Sequence, residues 1–188
     1  MTSEEPGPVQ HAPWQGRSVA VAQLRELLTP CAPSGMLRLV VQRLSLVEHG
    51  RPAGEHEVIS SVADVDGNLV AVPLRESVRA DRDRADAVDA AIAKLRQDLA
   101  ADGLIDVAGL EVIIDADGTE QVRIARDLTV APRDLRDGDP FDAVHDGDHH
   151  IARHAPVLED LRDRLAEQST GPLRRAWESI QDVLRRLR

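Results

Sequence analysis

Aromatic residues are nearly absent from this chain: of 188 residues one is Phe, two are Trp and none is Tyr. Stacking platforms for single-stranded bases are therefore missing, together with most of the anchors that concentrate binding energy at interfaces. The one cysteine, Cys31, excludes an intramolecular disulfide and a thiolate zinc site, and it fits a reducing compartment. No run approaches the ~18 to 20 apolar residues that a membrane span requires, and Met1 to Pro13 has neither the basic start nor the apolar stretch of a signal peptide. These absences predict a soluble, cytoplasmic protein with no membrane association. There is no Gly-x-Ser-x-Gly elbow, no glycine-rich phosphate loop with lysine and no His-Glu-x-x-His helix, so the sequence predicts no enzyme and no cofactor.

What the chain has is charge of one sign and enough apolar residues for a core. Asp and Glu number 33 against 23 Lys and Arg, a formal net charge of −10. Such a surface repels a phosphate backbone, which argues against nucleic acid, and it favours a basic protein partner. With 42% hydrophobic residues the chain can bury a core, and its length suits one domain with an appended helical element.

The periodicities predict an α+β fold: an antiparallel sheet of about five strands packed by amphipathic helices, with a C-terminal helical pair. Residues 1–16, rich in Pro, Gly and Glu, read as a disordered tail, and 17–168 as the α+β domain. Ala20, Val21, Leu24, Leu27 and Leu28 recur at helical spacing until Pro30 and Pro33. Met36 to Val47 changes apolar parity between Val41 and Leu44, the mark of a bulged strand or one buried on both faces. A turn over Gly50 to Gly54, strands at Val58 to Val62 and Leu69 to Val72, and an Asp66-Gly67 turn between them complete a meander. Residues 81–102 place Val88, Ile92, Leu95 and Leu99 on one stripe, with Gly103 suited to a left-handed C-cap. Leu110 to Ile114 and Val122 to Ile124 flank Asp117-Gly118 as a second hairpin. Asp127 to His154 is charged and aperiodic, the pattern of a long surface loop. Leu158, Leu161 and Leu165 begin one helix, and after a break at Gly171-Pro172 a last helix, 169–188, carries Leu173, Trp177, Ile180 and Leu184 for packing on the domain or on a partner.

The Asp-x-Asp-Gly turns at Asp64 to Gly67 and Asp115 to Gly118 lack the glycine and glutamate positions of a calcium loop and read as hairpins. His145, His149, His150 and His154, mixed with Asp146 and Asp148, form the densest set of candidate metal ligands; His150 and His154 share a helical face if the next helix begins early. Cys31 follows a helix C-terminus, where the dipole disfavours a thiolate. Arg174, Arg175, Arg185, Arg186 and Arg188 make a local basic region that also complements a helix C-terminus.

The succession Leu39 to Val47, Asp66-Gly67, Ala87 to Leu99 and Leu110 to Ile124 resembles the YezG- and EsaG-like immunity proteins of polymorphic and type VII toxin systems, over residues 18–168. Those proteins tend to carry a Trp just before the second hairpin, where this chain has Val107-Ala108-Gly109. The resemblance implies an acidic antitoxin that neutralises a secreted toxin. The acidic loop, Asp134, Asp137, Asp139, Asp142, Asp146 and Asp148, is the expected contact surface for a basic toxin domain. Two alternatives stand beside it: a metal-binding protein or metal-dependent enzyme built on His145, His149, His150 and His154, and an accessory or scaffold subunit that associates, with a partner or as a homo-oligomer, through its C-terminal helix.

Overall fold

Leu39, Val41, Ile59, Leu110, Val112 and Ile114 are apolar, β-prone and spaced by two, so they line one face of a sheet that needs a helical cover. A computed structural model describes residues 11–135 and 144–186, with side chains as far as 168. Among the described residues the elements are β1 (Ala12–Trp14), α1 (Val19–Leu28), a 3-10 turn (Thr29–Cys31), β2 (Met36–Glu48), β3 (Arg51–Val65), β4 (Asn68–Pro73), α2 (Arg75–Ala80), α3 (Arg82–Ala101), β5 (Gly109–Asp115), β6 (Glu120–Ala125) and α4 (Gly147–Arg186). The strands form one antiparallel six-stranded sheet in the order β1-β6-β5-β2-β3-β4. The fold is α+β.

The main core joins that sheet face to α1 and α3 through Ala20, Leu24, Leu28, Val88, Leu95 and Leu99. α1 and α3 both begin with a side-chain cap. Ser18 Oγ accepts from the Ala20 amide at 3.1 Å and donates to Asp98 Oδ2 at 2.6 Å, tying α1 to α3. Asp81 Oδ1 accepts from the Arg84 amide at 3.1 Å to start α3, which ends at Gly103 with φ +81°. A smaller cluster, Leu44, Leu46, Ala125, Leu128 and Val130, sits at one end of the sheet.

The parity change in β2 is real. The strand is buried from Leu37 to Leu44 and shifts register at both ends, so it serves both faces. The turn ahead of β3 is tighter than the Gly50 to Gly54 reading: His49 and Gly50, with φ of +50° and +74°, make the reversal, and Pro52 and Gly54 already lie in β3. Three further expectations are corrected. Ala12–Trp14 is strand β1 rather than tail, paired with Val122 to Ile124 of β6; an edge strand accepts Pro13, whose missing N–H costs no ladder bond there. The stretch read as loop to His154 bridges Val130 to Leu46 and turns helical at Gly147. Finally, one helix, α4, replaces the C-terminal pair and runs through the division expected after residue 168. A proline inside a helix removes its own amide bond to the fourth residue before it and crowds that carbonyl, a local cost, and the apolar period begun at Leu158 continues past Pro172 in the sequence. The chain divides into two compact units, Met1–Arg153 and His154–Arg188.

Candidate functional site

On the side of the sheet away from α1 and α3, buried polar side chains interrupt the apolar strands in two rungs of the β2–β5 ladder, Gln42 with Glu111 and Arg38 with Asp115. Arg38 of β2 stands opposite Asp115 of β5 in the ladder. Its Nε donates to Asp115 Oδ1 at 2.6 Å and its Nη2 to Oδ2 at 3.0 Å, a bidentate pair with side chains only 6% and 10% exposed. Arg38 Nη1 lies 3.4 Å from His150 Nε2. The His150 ring, buried, packs against His145 with centroids 4.7 Å apart and planes tilted by 54°. His145 Nε2 is 3.0 Å from Ser60 Oγ of β3, and the His145 amide donates to Gln42 Oε1 at 2.7 Å. A polar strip, Asp115, Arg38, His150, His145 and Ser60, thus crosses β5, β2 and β3 and fastens the start of α4 to the sheet.

Why α4 starts there is local chemistry. Asp146 Oδ1 accepts from the His149 amide at 2.9 Å, and the Asp146 carbonyl accepts from the His150 amide at 2.8 Å, which makes Asp146 the helix N-cap. Gly147 is required by contact: a Cβ at that position would come within 2.5 Å of Ala71 Cβ. Beside it opens a shallow cleft of about 370 Å³ lined by Glu57, Ser60, Ala71, Arg75, His145 and Asp148.

Two residues of the cleft lining, Glu57 and Arg75, belong to an ion network. Glu57 accepts from Arg43, Arg75 and Arg79, and Asp89 of α3 accepts from Arg43 and Arg79. The Arg79 hydrogen bond, with help from Arg43, lowers the Asp89 carboxyl to about 2, and the bonds to Asp89 and then Glu57 raise the Arg79 guanidinium. His56 is lowered from its ordinary value by burial first and by Arg75 second. Across the sheet, burial lowers His11, with the Arg123 cation adding to the effect and Glu111 opposing it.

The predicted contact residues divide. Asp134 Oδ2 accepts from the Ala131 amide at 2.8 Å and closes a turn, and Asp146 caps α4. Asp148 is exposed in the first turn of α4, where its charge complements the helix dipole. Asp137, Asp139 and Asp142 lie outside the described residues, as does the side chain of every arginine in the basic C-terminal region. Of the four histidines, the structure brings His145 and His150 together, leaves His149 exposed, and assigns His154 to the second unit. Among the described residues no group of three or more His, Cys, Asp or Glu is placed to hold a metal ion. The Cys31 thiol accepts from Arg84 Nη1 at 3.1 Å.

Sequence reasoning missed Arg38, Gln42, Ser60 and Asp115. The signal was present: Arg38 and Gln42 are polar residues among the apolar ones of β2, four apart and so on one face. Asp115 was absorbed into a turn motif because it ends a hairpin strand. No helix of the described residues is long and apolar enough to cross a membrane. No protein-family model matches the chain, and no curated protein matches it.

Proposed function

We propose that this protein is a non-enzymatic acidic binding module that holds a basic protein partner, in its most specific form an immunity protein that neutralises a toxin. The observation that carries this reading is the fate of its cations. Arg25, Arg38, Arg43, Arg79, Arg96 and Arg123 are each engaged by a carboxylate of the same chain. Paired in this way they offer little to an external anion. Meanwhile Glu26, Glu48, Glu76, Asp83, Asp106 and Asp148 are exposed. The excess negative charge of the chain therefore lies outward, where it accelerates encounter with a basic cleft and occupies the place of an anionic substrate.

The test is copurification of the untagged protein from its native cell, and coexpression with the products of neighbouring genes. The expected result is a retained basic protein whose association weakens as salt rises past about 0.1 M, where exposed charges are screened beyond ~10 Å. Asp148→Asn then slows association, at a stability cost of no more than about 1 kcal/mol from the lost helix-dipole interaction. Retention of no protein, with no toxin encoded next door, overturns the reading.

A further inference from the structure

The two edges of the sheet are built differently. β1 is three residues long and contains Pro13, and such short, proline-bearing edges resist further pairing. β4, at the other edge, is six residues long, Asn68–Pro73, and none of them is charged. Among the described strands of six or more residues it alone has no charged residue, and natural edges that avoid pairing normally carry charges.

The direction of the free backbone groups follows from the ladder. Leu74 N–H donates to the Ile59 carbonyl at 2.8 Å, so Ile59 and Leu74 are a hydrogen-bonded pair. Alternation along the register makes Ser61–Val72, Ala63–Val70 and Val65–Asn68 the next such pairs. Leu69 and Ala71 therefore turn their amides and carbonyls away from β3, towards the open edge, and Pro73 presents a carbonyl alone.

We propose that β4 pairs antiparallel with β4 of a second copy of this chain, about a two-fold axis at Val70. In that register Leu69 of each copy faces Ala71 of the other, and each pair exchanges both of its backbone bonds. Val70, 38% exposed in the single chain, meets the second copy's Val70 as a close, non-hydrogen-bonded pair. The same register sets the exposed Asp66 of each turn at the level of the other copy's Leu74–Arg75, a carboxylate towards a guanidinium that is 61% exposed. Charge selects this occupant. Two copies repel over most of their acidic surfaces and meet without that penalty along an uncharged strand, whereas a basic partner gains nothing from such an edge.

Sedimentation equilibrium of the full chain, with hydrogen exchange read at single amides, tests the inference. The expected result is a dimer in which protection of Leu69 and Ala71 rises with protein concentration. Val70→Lys places two cations opposite each other and raises the dimer dissociation constant at least about tenfold. Leu69→Pro removes an outward amide, leaves the β3 ladder intact and weakens the dimer likewise, with circular dichroism confirming the fold of both variants. A monomer at every concentration up to the solubility limit overturns the proposal. So does a dimer whose Leu69 and Ala71 amides exchange freely, and so does protection that arises only in complex with a different protein. Because these measurements need no partner, their outcome is separate from that of the copurification.

Discussion

Asp115→Asn tests the energetic weight of the polar strip directly. The change keeps side-chain shape while removing the charge that faces Arg38, whose guanidinium sits on a side chain 6% exposed with bonds of 2.6 and 3.0 Å to that carboxylate. Breaking one half of a buried pair costs about 3–5 kcal/mol because the surviving ion has no water to return to. His150, 3.4 Å from Nη1, adds no negative charge to replace it. Against a total stability of about 5–15 kcal/mol, that is about a fifth of the whole or more. For a chain of this size it lowers Tm by roughly 6–20 °C. The double variant Arg38→Met, Asp115→Leu removes both charges and fills similar volume, and it is expected within about 2 kcal/mol of wild type or above it. Urea unfolding of Arg38→Met, of Asp115→Leu and of their double variant, followed by circular dichroism with m held as a check on cooperativity, yields the coupling energy. If Asp115→Asn costs less than about 1 kcal/mol, or the double variant equals the sum of the singles, the strip does not hold the sheet together as argued.

Perturbations at four other positions probe the same corner and the far edge. His11 has a folded value lowered from 6.5, so its contribution is present above pH 6.5 and is lost as pH falls through the folded value. His11→Leu is expected to flatten stability against pH in that window, and hydrogen exchange at Ala12–Trp14 reports whether β1 is the part that loosens. Asp89, lowered from 3.8 to about 2, contributes stability present above pH 3.8 and lost as pH falls through 2. Asp89→Asn therefore reduces the acid dependence between those values, by a small amount since the side chain is 48% exposed. At the start of α4, Asp146→Ala costs about 1 kcal/mol as a lost cap while Asp146→Asn costs little, and thermal melts separate the cap from the charge. Gly147→Ala costs about 1–3 kcal/mol through overpacking, part of which Ala71→Gly returns.

What could be read from the sequence depended on whether a signal was periodic or pairwise. α3 and the hairpin turns were legible because Val88, Ile92, Leu95 and Leu99 repeat at 3.6 and because Asp66-Gly67 needs positive φ. β1 was not: three residues hold no period, and their order comes from Val122 to Ile124, more than a hundred positions away. The candidate site failed for the same reason. His145 and His150 stood out as a cluster of ligand types, but their partners are Ser60, Arg38 and Asp115, each scattered through a strand whose pattern announces only burial. Composition named the residues and could not name their work. Of the acidic loop, Asp134 and Asp146 hold backbone amides, so their carboxylates are committed before any partner arrives, whereas Asp148 is exposed and bears the test of charge alone. An acidic surface in this chain is thus what remains after its own arginines have been satisfied. On the proposed function, the strength of that surface would be set by the pairs at Glu57, Asp89 and Asp115 as much as by the exposed carboxylates themselves.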